Sequence, residues 1–222
     1  MSKISAIICV YNEEKTIKEV VTTVCDYFFD EVIVVNDGST DRTDAILTEL
    51  FGLHNIKYVL LPENKGKGYA MAKGIENASG DIIVFVDADL SNLQEEHLAQ
   101  LITPIFKNEA DMVLGQPTET AIHTKLNPFK SFTGERALLR LDLLPILDKM
   151  KGSRFGVETL INIYYKSRKK KVTLVYLEGL KHPIKYKKTT FVKATKHFLF
   201  EAKEIIYTLI INYQILKHLF RK

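Results

Sequence analysis

Four short apolar runs in the first part of the chain, residues 4–10, 31–36, 58–61 and 81–86, each end in a cluster of acids, amides, hydroxyls or glycines. Between them lie stretches with helical spacing: residues 14–27, through Ile17, Val20, Val21 and Val24, then 41–51 and 66–77. Alternation of this kind, with strands as apolar as Ile82-Ile83-Val84-Phe85-Val86, predicts an α/β fold built on a mostly parallel sheet covered by helices on both faces. Ligands of such sheets bind beyond the carboxyl ends of the strands, where the polar clusters fall.

The clusters differ in chemistry. Tyr11-Asn12-Glu13 follows the first run. Asp37-Gly38-Ser39-Thr40-Asp41 follows the second, with Gly38 suited to a sharp turn and Ser39 or Thr40 placed to cap the next helix. On spacing alone Asp37 reads equally as a turn-completing acid or as an acceptor for the ring hydrogens of a nucleobase. Asn64-Lys65-Gly66-Lys67-Gly68 sets two lysines and two glycines at a helix start, where backbone and ammonium groups can approach an anion. The cluster lacks P-loop spacing, and no Gly-x-Gly-x-x-Gly follows the first strand, which argues against ATPase and dinucleotide readings. After Ser79-Gly80-Asp81 and the fourth run comes Asp87-Ala88-Asp89, two carboxylates able to hold a hard divalent ion against a diphosphate.

Taken in this order, the motifs resemble glycosyltransferase family 2, with its GT-A fold for nucleotide-diphospho-sugar transfer, over roughly residues 4–115. The resemblance implies that Tyr11, Asn12 and Glu13 line the base and ribose, that Asp37 holds the base, and that Lys65 and Gly66 border the nucleotide. Asp87 and Ala88 would then lie near ribose or sugar hydroxyls, and Asp89 would ligate Mg²⁺ or Mn²⁺ on the diphosphate. Farther on, Thr133-Gly134-Glu135-Arg136-Ala137 and Phe155-Gly156-Val157-Glu158-Thr159 resemble segments of the glucosyl-3-phosphoglycerate synthase branch. Gly134-Glu135-Arg136 is also similar to polyprenyl-phosphate sugar transferases. By that likeness Glu158 lies near the acceptor or sugar and His182 completes the metal shell. A helix-capping glutamate and a surface histidine are the plain alternatives.

The expected catalytic set is therefore Glu158, Asp87 and Arg136. A helix read over 134–149 sets Arg136 and Arg140 one turn apart, facing one anion. The expected reaction moves a hexosyl group from a UDP- or GDP-sugar to a phosphorylated small molecule or a polyprenyl phosphate. Two competitors exist. Asp87-x-Asp89-x-Ser91 also suits a haloacid-dehalogenase-type phosphatase with Asp87 as nucleophile, and a non-catalytic nucleotide-sugar binding module would keep Asp37 and Asp89.

In domain terms, residues 1–190 form one catalytic unit, with 1–115 as nucleotide-binding half and 116–190 as acceptor half. Residues 116–133 read as a long loop or lid, 157–166 as a helix and 172–177 as a strand. Residues 191–222 carry a long amphipathic helix, over 194–220, whose stripe of Phe198, Ala202, Ile205, Leu209, Tyr213, Leu216 and Phe220 suits packing, a homodimer seam or a peripheral membrane face. The formal charge of +4 is concentrated as lysine in residues 166–222, with no nucleic-acid-binding motif beside it. Cys9 and Cys25 fall in strand and helix patterns, as small thiols of a reducing compartment do. With no signal-peptide pattern and no window of spanning length, the expected location is cytoplasmic, with the tail able to meet the inner face of the membrane.

Overall fold

The computed structural model describes residues 2–52, 56–119, 133–181, 207–208 and 210–215. Seven strands make one sheet: β1 (Ile4–Val10), β2 (Glu31–Asn36), β3 (Ile56–Leu60), β4 (Ile82–Asp87), β5 (Met112–Glu119), β6 (Arg136–Leu139) and β7 (Val172–Lys181), in the order β3-β2-β1-β4-β6-β5-β7. Only β6 runs against its neighbours, pairing antiparallel with both β4 and β5. The mostly parallel sheet read from the sequence is thus present, and six of its strands end on the same edge.

Side chains alternate between two cores because strand residues alternate between faces. Ile4, Ala6, Ile8 and Val10 of β1 join one core, with α1 (Ile17–Asp26), α2 (Thr43–Phe51) and α4 (Glu95–Phe106) packed on it. Ile7 points the other way, with Ile33, Val35, Ile83 and Phe85, into a core closed by α3 (Lys67–Asn77), α6 (Leu147–Gly152) and α7 (Val157–Ser167). Gly74 is needed on that face, since a Cβ there would overlap the Ile7 side chain.

Three features differ from the sequence reading. Ser39 and Thr40 do not cap α2: its N-cap is Arg42, and Asp41 Oδ1 accepts the Thr43 amide at 2.9 Å. The helix expected over 134–149 is instead β6, a short α5 (Arg140–Leu143), a 3₁₀ turn and α6. The helical reading took charged residues as marks of a solvent face, whereas Glu135 and Arg136 are 1% and 0% exposed and flank a strand core of Ala137 and Leu138. Finally, β5 continues to Glu119, so the expected loop begins later than 116. Pro117 is tolerated there beside a register shift at the strand end.

Residues 120–132 and most of the tail lie outside the described residues. Of the expected apolar stripe only Tyr213 lies within them, and it is 58% exposed, while Thr208 and Asn212 are buried. No helix among the described residues is long and apolar enough to cross a membrane.

Candidate active site

The loops leaving β1 and β2 are laced together. Asn12, at φ 57°, accepts the Thr40 amide on Oδ1 at 2.7 Å, and its own amide donates to Ser39 Oγ at 3.0 Å. The Glu13 amide donates to Thr43 Oγ1 at 3.0 Å. The predicted binding residues Tyr11, Asn12 and Glu13 therefore stand on one cross-braced rim. Asn12 serves as the brace, and Tyr11 is 43% exposed.

Asp37 closes the next link. Its Oδ1 accepts the Lys65 amide and its Oδ2 the Gly66 amide, both at 2.8 Å, so the loop after β3 hangs on this carboxylate. Gly38 must lack a side chain because, at φ 69°, a Cβ would come 2.5 Å from the Glu63 carbonyl carbon. Burial raises the Asp37 pKa above its ordinary value, while the two amides and the charges of Arg154 and Lys65 pull it back. Each oxygen keeps a lone pair for a further donor.

The two lysines of that loop part company. Lys65 is exposed and pairs with Glu63. Lys67 turns inward: its Nζ lies 2.8 Å from Asp87 Oδ1 and 2.7 Å from Glu158 Oε1, with a quarter of its side chain exposed. Burial opposes the ammonium charge, but the Asp87 and Glu158 carboxylates outweigh it and hold the Lys67 pKa well above the usual value. Sequence reasoning noted Lys67 but did not assign it to the centre. The available signal was electrostatic, because a cation at the first position of a helix opposes the helix dipole and calls for acids nearby.

Glu158 belongs to the first turn of α7 yet makes no capping hydrogen bond there; its carboxylate goes to Lys67. Gly134 packs so closely on Asp87 that a Cβ would overlap both carboxylate oxygens. Behind this cluster sits Arg136, fully buried, donating to the Thr133 carbonyl and, at 3.5 Å, to Asn162 Oδ1. Burial lowers its pKa, against the pull of Glu158, Asp87 and Glu135. The expectation that Arg136 and Arg140 face one anion from a shared helix turn is corrected. Arg136 is on a strand beneath the carboxylates, and Arg140 Nε reaches the Ile75 carbonyl at 3.4 Å.

Asp89 is half-buried past the end of β4, and His182 lies outside the described residues. Lys181, just before it, exchanges backbone hydrogen bonds of 3.0 and 3.1 Å with Ser91, two residues beyond Asp89. Among the described residues no group of three His, Cys, Asp or Glu side chains forms a ready metal cage. Mg²⁺ and Mn²⁺ do not need one beside a diphosphate: one or two carboxylates with phosphate oxygens and water suffice, and the hard oxygens of Asp87 and Asp89 fit that donor set. Cys9 is near the cluster, but burial pushes its thiol up and out of reactive range.

A parallel sheet of this order, with paired acids beyond its fourth strand and a lysine-glycine loop beside them, defines the GT-A class of glycosyltransferase folds. Residues 5–188 match the model of Glycosyl transferase family 2, and the chain belongs to that family. It is similar to the crystal structure of glucosyl-3-phosphoglycerate synthase from Mycobacterium tuberculosis in complex with Mn²⁺, uridine-diphosphate and phosphoglyceric acid. The TM-score is 0.73, with 23% identity over 94% of this chain and 78% of that one. The same synthase with Mg²⁺ and uridine-diphosphate gives 0.71 at 23% identity, over 94% and 78% of the two chains. In sequence the chain is 38% identical over 88 residues to poly-beta-1,6-N-acetyl-D-glucosamine synthase of Staphylococcus epidermidis, 39% of this chain but 21% of that protein. It thus spans about a fifth of the length of the curated relatives it matches.

Proposed function

We propose that the chain transfers a hexosyl group from a UDP-sugar, or a GDP-sugar, to a phosphorylated acceptor. The observation that carries this reading is the Asp87–Lys67–Glu158 cluster at the carboxyl end of β4 in a chain of this family. Tyr11 and Glu13 flank the base and ribose, Asp37 accepts a ring hydrogen of the base, and Lys65 with Gly66 borders the nucleotide. Asp87 and Ala88 meet ribose or sugar hydroxyls. Asp89, with His182, would hold Mg²⁺ or Mn²⁺, which when bound would supply positive charge against the departing diphosphate.

Glu158 is the acceptor- or sugar-side residue, and Lys67 is the cation that keeps its carboxylate and that of Asp87 in place until hydroxyl groups of the substrates take them up. Arg136 acts from below as a positioning residue. Support for UDP, for the metal and for a small phosphorylated acceptor comes from the ligands named with the structural neighbours: uridine-diphosphate, Mn²⁺ or Mg²⁺, and phosphoglyceric acid. The polyprenyl-phosphate acceptor draws instead on the basic tail, where Tyr207, Ile210 and Ile211 are exposed. A cytoplasmic chain contacting the inner membrane face through that tail belongs to this version, and pairing with a second copy through the same helix is the alternative to it. Sedimentation with anionic vesicles, against light scattering without lipid, separates the two.

The phosphatase alternative has no support from the family match. The deciding experiment is a thermal-shift screen of UDP, GDP, ADP, CDP and TDP with and without Mn²⁺. Base-selective, metal-dependent stabilisation is the expected result; no shift with any nucleotide defeats the reading.

A further inference from the structure

Arg154 sits in an unusual backbone state. Its φ is +40°, a left-handed conformation that costs a residue with a side chain and that glycine adopts freely. It opens the 3₁₀ turn Arg154–Gly156 between α6 and α7, and its stem is laid on the lysine-glycine loop. A Cβ on Gly66 would meet Arg154 Cα, Cβ and Cγ at 3.3 Å each. A Cβ on Gly68 would come 2.7 Å from Ser153 Oγ, so two glycines give this turn its seat. The guanidinium is exposed and makes no hydrogen bond or ion pair with the described residues. Strain kept at such a position points to a use for the side chain.

The use follows from what Gly66 touches on its other side. Its amide is the donor held at 2.8 Å by Asp37 Oδ2, so one residue separates the Arg154 stem from the Asp37 carboxylate. We propose that Arg154 and Asp37 together read the nucleobase of the donor, Asp37 accepting a ring N–H and the Arg154 guanidinium donating to the adjacent ring carbonyl. This rests on the nucleotide-sugar reading above and adds to it a selection rule. A carboxylate acceptor beside a cationic donor complements an N–H next to a C=O, as on uracil or on the N1–O6 edge of guanine. With Asp37 set against the ring nitrogen and Arg154 against the exocyclic group, cytosine and adenine mismatch, because they turn a bare ring nitrogen to the carboxylate and an amino group to the guanidinium. In the donor reading above the diphosphate goes to the Asp87–Asp89 end of the site, so its charge does not call for Arg154.

The test titrates UDP, GDP and CDP into the full chain with excess Mn²⁺ by calorimetry, for the natural chain, Arg154→Gly and Arg154→Lys. UDP or GDP is expected to bind at least about tenfold tighter than CDP, the worth of one hydrogen bond to a charged group. In Arg154→Gly that preference collapses through weaker binding of the favoured nucleotide, CDP affinity holds, and the melting temperature rises because glycine suits φ +40°. Arg154→Lys, lacking the planar fork, recovers only part of the preference. Equal weakening of all three nucleotides, or an unchanged preference in Arg154→Gly, overturns the assignment while leaving the donor reading intact. Failure of the natural chain to bind any of them overturns both.

Discussion

Lys67 Nζ stands 2.7 Å from Glu158 Oε1 and so ties the first residue of α3 to the first turn of α7. Both helices close the same core on one face of the sheet, and this ion pair links their N-terminal ends.

Lys67→Met leaves two carboxylates facing each other without their cation. The expected cost is about 2 kcal/mol in urea unfolding, below the usual value for a broken buried pair because the lysine is partly exposed. Adding Glu158→Gln in the same chain recovers part of that loss, a coupling that a double-mutant cycle reads directly. Sugar transfer falls by at least about 100-fold in both the single and the double variant.

Gly134→Ala should separate stability from activity. No positive φ forbids alanine there, but its Cβ would overlap the Asp87 carboxylate, which must move aside. The melting temperature is expected to fall by only a few degrees, while turnover drops roughly 100-fold through a misplaced carboxylate. Equal turnover in Gly134→Ala and the natural chain would remove Asp87 from the reacting centre.

Asp37→Ala removes the acceptor of two backbone amides at once. Loss of these bonds costs about 1–2 kcal/mol of stability, with water reaching the exposed Lys65 side of the loop. On the proposed reading the thermal shift produced by UDP with Mn²⁺ disappears, because the carboxylate assigned to the base and the anchor of the Lys65–Gly66 loop go together.

Acid sensitivity is expected at the opposite edge of the sheet. Burial works against ionisation of Glu31, but Ser5 Oγ at 2.6 Å, the Ser79 amide at 2.6 Å, Ser79 Oγ at 3.0 Å and the Gly80 amide at 3.2 Å outweigh it and lower its pKa. A depressed folded pKa contributes stability that is present above the unfolded value near 4.3 and is lost as pH falls through the folded one. Glu31→Gln keeps an acceptor oxygen but not the charge, so its melting temperature should vary less between pH 5 and pH 3 than that of the natural chain.

The first four strands and three helices were legible because each satisfied two local rules at once: period and an apolar face ending in turn chemistry. The inward turn of Lys67, the burial of Arg136 and strand β6 were not, for one shared reason. Each involves a charged residue, or a strand beside charged residues, buried by partners far away in sequence, and local pattern reading assigns charge to solvent. Asp37 was legible as a polar residue at the end of a strand, but its hold on the Lys65 and Gly66 amides spans 28 and 29 residues and leaves no local trace.

The antiparallel entry of β6 has a consequence for how this molecule can diversify. Gly115 N donates to the Glu135 carbonyl at 2.8 Å and Thr133 Oγ1 to the Gly115 carbonyl at 2.5 Å, so the connection out of β5 and back into β6 is pinned at its root, next to Asp87. Doubling the length of a connection anchored in this way adds only about 0.6 kcal/mol of closure entropy. A change in the length of that connection therefore costs the sheet little and leaves the Gly115–Glu135 anchor, and Gly134 against Asp87, where they are.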